Sequence, residues 1–123
     1  MPKTLLLSAA LLVGLTACSG GSANIMGDQE PETELEKFAA CITEADAVFY
    51  GTEWCPHCSN QKALFAGAMD YVDYVDCDQE PGTCRLAGIT GYPTWVIAEE
   101  QRLSGTQPLD NLAEATGCEA PTA

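Results

Sequence analysis

Two cysteines three positions apart, in the run Trp54-Cys55-Pro56-His57-Cys58, are the residues best placed to do chemistry. Sulfurs at that spacing can close and reopen a small disulfide ring, provided a helix starts between them. Cys55 would then sit at the positive end of the helix dipole, where unpaired N–H groups favour a thiolate. Cys58, one turn in and more buried, would attack a mixed disulfide on Cys55 and release the product. Pro56 suits a first helical position because it presets φ and has no N–H to satisfy. His57 can add positive charge beside the thiolate or serve as an exposed spacer. Trp54 can be a packing lid or a substrate contact.

The competing chemistry is half of a zinc site. Zinc needs four ligands, and the other cysteines offer no second pair at knuckle spacing: Cys77 and Cys84 are seven apart, and Cys41 and Cys118 are remote. Three Met and one His speak against a copper carrier. The reading is a dithiol centre with no metal and no cofactor.

The elements around the motif follow from pattern. Thr33-Glu34-Leu35-Glu36 fits a capping box, followed by Leu35, Phe38, Ala39 and Ile42 at helical spacing. Residues 47–51 read as a buried strand. Residues 56–69 read as a helix with Leu64, Phe65, Ala68 and Met69 on one face. Residues 71–77 read as a second strand, Glu80-Pro81-Gly82 as a turn, and 84–88 as one helical turn. Residues 94–98 and 102–105 form a hairpin. Pro108 opens a last helix with Leu109, Leu112 and Ala113 inward and Gly117 as its stop. The order α-β-α-β-(short α)-β-β-α predicts a compact α/β domain, a mixed sheet covered by helices on both faces.

The 123 residues suffice for one domain. Five Lys and Arg against 18 Asp and Glu give a net charge of −13. No cationic cluster exists to neutralise phosphates or anionic lipid, so nucleic acid is excluded as a partner. The acidic balance reads as a solvated surface. Seven cysteines point to an oxidising compartment or thiol chemistry.

The amino terminus is cationic at Lys3, then apolar from Leu5 to Ala17. That run is short for a bilayer span and has the proportions of a secretory signal. It ends in Leu15-Thr16-Ala17-Cys18, which resembles the bacterial lipoprotein box, in which the peptide is cut before a cysteine that becomes lipidated. The expected organisation is a signal peptide over 1–17, a lipidated Cys18 with a Gly/Ser/acid-rich tether over 18–33, a domain over 34–118 and a tail over 119–123. The domain would be extracytoplasmic and held to the membrane by lipid, two or more chains giving stable anchoring. In a cell that has an outer membrane, Ser19 after the cysteine allows transfer to its periplasmic leaflet, with the domain on the periplasmic side.

Four cysteines remain. Cys77 and Cys84 flank the 80–82 turn and are paired; Cys41 and Cys118 are paired so as to tie the first and last helices. A second redox role for Cys77 and Cys84, relaying electrons between Cys55/Cys58 and a membrane partner, stays open, since an exposed loop disulfide can be labile.

Trp54-Cys55-Pro56-His57-Cys58 together with Gly91-Tyr92-Pro93-Thr94 resembles the thioredoxin fold. The resemblance implies that Pro93 follows a cis bond and sits against the active-site sulfurs, and that Tyr92 offers backbone groups to substrate. Tyr50-Gly51, Gln61-Lys62, Leu64-Phe65, Tyr74-Val75-Asp76-Cys77, Gly88-Ile89, Trp95, Leu112-Ala113 and Thr116-Gly117-Cys118 recur with these motifs. Together they resemble the thioredoxin-like domain fused to bacterial and plant vitamin K epoxide reductase homologues, over residues 38–118. That resemblance implies a thioredoxin-like domain that oxidises thiols of secreted proteins and passes electrons to a quinone-reducing membrane partner. The sequence departs from that family in showing no transmembrane bundle, so a lipid anchor would replace the fusion. It departs from cytosolic thioredoxins at Phe49, where they carry a buried Asp. Pro56-His57 is the dipeptide of strongly oxidising periplasmic oxidases. Depressing the pKa of Cys55 stabilises the reduced form and makes the disulfide more oxidising. That effect alone does not fix the direction in a cell, which the supply of oxidised or reduced partner decides; oxidation of substrate is the favoured direction. A reductase working with a reducing membrane partner, as in cytochrome maturation or repair, is the alternative, and a metal-binding lipoprotein is the reading from another class.

Overall fold

The computed structural model describes residues 29–122, together with Gly14. The signal segment, Cys18 and the first part of the tether lie outside the described residues. Helix α1 (Glu34–Glu44) starts where the capping box places it. The Glu36 amide donates to Thr33 Oγ1 at 3.1 Å, and the Thr33 and Glu32 amides donate to Glu36 Oε2 at 3.1 and 2.8 Å. These bonds hold the Glu36 carboxyl below its ordinary pKa. Just before α1, the Gln29 carbonyl accepts a hydrogen bond from Tyr71 Oη at 2.9 Å, so the last residues of the expected tether rest on the domain.

Strand β1 (Ala47–Gly51) leads to α2 (Pro56–Phe65), a 3-10 helix (Ala66–Tyr71) and β2 (Asp73–Asp76). Then follow α3 (Pro81–Leu86), β3 (Thr94–Ile97), β4 (Gln101–Ser104) and α4 (Leu109–Thr116). The sheet order is β2-β1-β3-β4, with β1 and β2 parallel and the other pairs antiparallel. This is the mixed sheet with flanking helices expected from the sequence.

Three local expectations change. The helix read over 56–69 stops at Phe65, because Ala66 takes φ 46° and the chain tightens into the 3-10 turn. Ala68 is thereby turned inward while Leu64 stays 40% exposed, outside the core. The strand read from Tyr71 begins only at Asp73, since Tyr71 ends the 3-10 helix. Residues 80–82 are not a free-standing turn: Pro81 is the first residue of α3 and Glu80 its cap.

The core lies on the face of the sheet carrying Ala47, Phe49, Trp95 and Ile97, where α1 contributes Phe38, Ala39 and Ile42, and α4 contributes Leu112 and Ala113. Trp95 is its centre, stacked on Phe49 at 5.1 Å and tilted against Phe65 at 5.9 Å. On the other face α3 covers only part of the sheet. Thr83, Leu86 and Ala87 border a cleft of about 330 Å³ with Tyr50, Val96 and Arg102. Helix α4 ends at Gly117, whose φ of 79° is a left-handed cap that few other residues accept.

Cys41 is bonded to Cys118, joining α1 to the second residue after α4, and Cys77 is bonded to Cys84. The first closes a ring over 77 positions and the second over 7. Loop entropy assigns them about 4.5 and about 2.5 kcal/mol. Cys41→Ser/Cys118→Ser is therefore expected to lose clearly more unfolding free energy in urea than Cys77→Ser/Cys84→Ser. Equal losses would contradict this reading.

Candidate active site

Both sulfurs of the motif lie where β1 hands over to α2. Cys55 is the N-cap of α2, and its sulfur accepts the Cys58 amide at 3.4 Å. Pro56 occupies the first turn, as its missing N–H allows. Cys55 is 5% exposed and Cys58 is 0% exposed. Cys55 is the more accessible of the two, though both are sheltered. Both are unbonded thiols in the structure.

Their environments pull in opposite directions. Burial opposes a thiolate at Cys55. The Cys58 thiol and the backbone N–H groups of Cys58 and His57 outweigh it, and the pKa falls below the ordinary thiol value. At Cys58 burial dominates, with the hydrogen bond to Cys55 adding to it, and the pKa is pushed up from 9.0 to about 11. The contribution His57 makes to the thiolate here is its amide. Its carbonyl accepts from Thr106 Oγ1 at 2.9 Å, anchoring the first turn to the loop before α4.

The second motif packs against the first. The Tyr92–Pro93 bond is cis and Pro93 is fully buried. The Tyr92 carbonyl stands 3.8 Å from Cys55 Sγ, which donates to it. Trp54 is 67% exposed, so it is no packing lid. Its ring meets Tyr92 edge-on at 6.2 Å, and its Nε1–H donates to Asp78 Oδ2 at 2.7 Å. Trp54 and Tyr92 form an exposed aromatic rim beside Cys55.

Several residues that position the pair carried no assigned role in the sequence. A Cβ on Gly51 would lie 2.9 Å from Cys58 Sγ and 3.2 Å from the Phe49 ring, so β1 must end in glycine. Gln61, fully buried one turn beyond Cys58, accepts from Trp95 Nε1 at 3.0 Å and from the Gln107 amide at 2.6 Å. It also donates to the Gln107 carbonyl at 3.0 Å. This one amide bolts α2 to β3 and to the loop before α4. The i, i+3 spacing from Cys58 was the available signal for Gln61. For Gly51 the signal was its recurrence with the motif, which did not reveal that its constraint comes from Cys58, seven positions on.

Cys77 and Cys84 are 5% and 4% exposed. Their disulfide is buried rather than displayed on a loop, which removes the lability argument for a relay. Among the described residues no group of three or more His, Cys, Asp or Glu side chains could hold a metal ion. Nor is any helix there long and apolar enough to cross a membrane.

No family model matches the chain. It is 41% identical over 85 residues to a thiol-disulfide oxidoreductase of Arabidopsis thaliana, covering 62% of this chain and 22% of that protein. It is 31% identical over 136 aligned positions to a protein disulfide isomerase-like protein of Oryza sativa, covering 98% of this chain and 36% of the relative. It is 27% identical over 114 to protein disulfide-isomerase A3 of Gallus gallus, covering 86% and 22%. The chain thus spans between 22% and 36% of the length of these curated relatives. The mixed four-stranded sheet with its flanking helices is a thioredoxin-like α/β fold, and the similarity is to thiol-disulfide oxidoreductases.

Two expectations follow. Iodoacetamide at neutral pH should label Cys55 first in the reduced protein, with Cys58 following only as pH rises toward about 11. The same raised pKa means that Cys58 stabilises the reduced fold fully below about pH 9, and that this contribution is lost as pH rises through about 11. Labelling of Cys58 first would contradict the assignment. Separately, Gly51→Ala should cost about 1–3 kcal/mol by overpacking and slow thiol exchange at least tenfold, read by thermal melting and stopped-flow labelling. No change in either would contradict the packing of Cys58 on β1.

Proposed function

We propose that the protein is a thiol-disulfide oxidoreductase that oxidises substrate dithiols through a Cys55–Cys58 disulfide. The observation that carries this is the asymmetry of the two sulfurs at the start of α2. Cys55 is held toward its thiolate by amides, while burial keeps Cys58 a thiol. A low-pKa entry cysteine makes a good leaving group and a reducible disulfide. Trp54 and Tyr92 grip the substrate segment, and the cis loop ending at Pro93 sets the Tyr92 carbonyl beside the reacting sulfur.

In the oxidising direction a substrate thiolate attacks Cys55 Sγ, the Cys55–Cys58 bond breaks, and Cys58 leaves with the electron pair. A second substrate thiolate attacks the substrate sulfur of the mixed disulfide and expels Cys55 as a thiolate. Two electrons pass from substrate to the enzyme pair, which is left as the dithiol seen in the structure. A membrane partner that reduces quinone, of the vitamin K epoxide reductase-like kind, would take those electrons and restore the disulfide. Lipid attachment at Cys18 would hold the domain beside that partner on an extracytoplasmic face, in reach of secreted thiol proteins. The reading is supported by the motif, the lipoprotein-like box and the similarity to oxidoreductases.

Cys58→Ala cannot form the internal disulfide; its Cys55 thiolate is expected to attack disulfide-bonded substrates and to accumulate mixed disulfides with them, because the release route through Cys58 is gone. Cys55→Ala should abolish turnover in oxidative refolding of a reduced protein. Recovery of no adducts from Cys58→Ala would overturn the function. Cys18→Ser should release the domain from membranes; normal processing and retention would overturn the anchor.

A further inference from the structure

We propose that Lys62 is the positioning residue for Cys58. Glu53 holds it above the Tyr74 ring, and it keeps a positive charge one helical turn from the buried sulfur, so that Cys58 can exist as a thiolate during exchange. The inference rests on the oxidoreductase reading and names the group that makes its inner sulfur usable.

Exchange requires Cys58 to leave or attack as a thiolate, yet it is completely buried. Strand β1 offers it no acid or base: Phe49 is apolar and stacked on Trp95. The titratable groups around it are Cys55 and Lys62 from α2, Glu53 from the loop before α2, and Tyr74 from β2. Asp76 at the end of β2 faces Tyr74, and β3 presents the apolar and indole surface of Trp95. Lys62 is the cation among them that favours the thiolate, and the Thr52 amide acts in the same sense.

The geometry is that of a path from sulfur to water. Cys58 and Lys62 are an i, i+4 pair on α2 and share a helix face. Lys62 Nζ lies 2.8 Å from Glu53 Oε1 and 4.2 Å from the centroid of the Tyr74 ring. The Tyr74 ring edge and Cys58 Sγ converge on one point beside Gly51, at 3.4 and 2.9 Å from it. The Lys62 side chain is 24% exposed and that of Glu53 68%, so the pair runs from the interior to solvent. The Tyr74 hydroxyl is buried, and burial, followed by the charges of Glu53 and Asp76, raises its pKa. The phenol therefore stays neutral and does not compete for the charge of Lys62.

When a substrate thiolate forms its bond to Cys55, the Cys55–Cys58 bond breaks and Cys58 departs with both electrons. The Lys62 ammonium, partly released from Glu53, balances the new charge. The thiolate then takes a proton from solvent along the Lys62–Glu53 path. When the membrane partner's disulfide reoxidises the pair, the same proton leaves by the same route.

The test follows Cys58 alone, by ultraviolet thiolate absorbance against pH in the full chain carrying Cys55→Ser. Lys62→Met should raise the midpoint by about one pH unit, a tenfold loss of thiolate at a given pH. Lys62→Arg should restore most of it, and Glu53→Gln, which removes the group that holds the ammonium in place, should move the midpoint. A midpoint unmoved by Lys62→Met at unchanged melting temperature would overturn the proposal. Should Lys62→Met unfold, an unmoved midpoint in Glu53→Gln would overturn it equally. Absence of turnover in the wild-type protein would instead defeat the oxidoreductase reading, and the titration, which needs no substrate, decides the role of Lys62 by itself.

Discussion

The site depends on one close approach, the Cys58 sulfur lying against the backbone of Gly51. A side chain at the end of β1 would stand 2.9 Å from that sulfur. Because none is there, α2 can begin five positions after the end of the strand and bury its second cysteine completely. The Gly51 carbonyl also accepts the Cys77 amide at 2.8 Å, which carries the edge strand β2 into the segment pinned by the second disulfide. One turn further along α2, Gln61 fastens the helix to Trp95 and to the Gln107 backbone. The dithiol is therefore mounted on the sheet, the core tryptophan and the loop before α4 at once.

That mounting is what separates two chemically identical groups. Cys55 caps a helix and faces amide hydrogens, which stabilise negative charge at short range. Cys58 is shut in by the Gly51 backbone and aromatic rings, and its burial outweighs the Thr52 amide and Lys62. A three-residue spacing turns one helix end into a site with a poised sulfur and a reserved one. The Phe49–Trp95 stack bears on the same point. It gains core packing at the position where cytosolic thioredoxins place a carboxylate, and leaves charge near Cys58 to residues of α2 and the loop before it.

The fold was legible wherever a local rule governed it. The capping box set the start of α1, and Pro56 and Gly117 marked the start of α2 and the end of α4. The dithiol was visible from spacing alone, and the proline motif from its resemblance. The break at Ala66 was not legible, because an alanine at positive φ has no sequence signature and is imposed by how the 3-10 turn packs. Leu64 misled for the same reason, since helical periodicity assumes that the helix continues. The roles of Gly51, Gln61, Glu53 and Asp78 come from partners brought close by the sheet, with up to 46 positions between bonded residues in the case of Gln61 and Gln107. The Trp54–Asp78 and Gln61–Gln107 contacts span 24 and 46 positions, and even the shorter Gly51–Cys58 and Glu53–Lys62 contacts depend on how α2 folds back on β1.

The account turns on Cys55 and Cys58 forming an oxidising redox pair. Its most direct test is the reduction potential of that pair in the otherwise disulfide-bonded protein, equilibrated in glutathione buffers and read by thiol trapping. One two-electron transition is expected, assigned to Cys55 and Cys58 and lying well above the value of about −270 mV typical of thioredoxin. A potential at or below that value would contradict the oxidising direction, and failure of the two sulfurs to join at any potential would contradict the site itself.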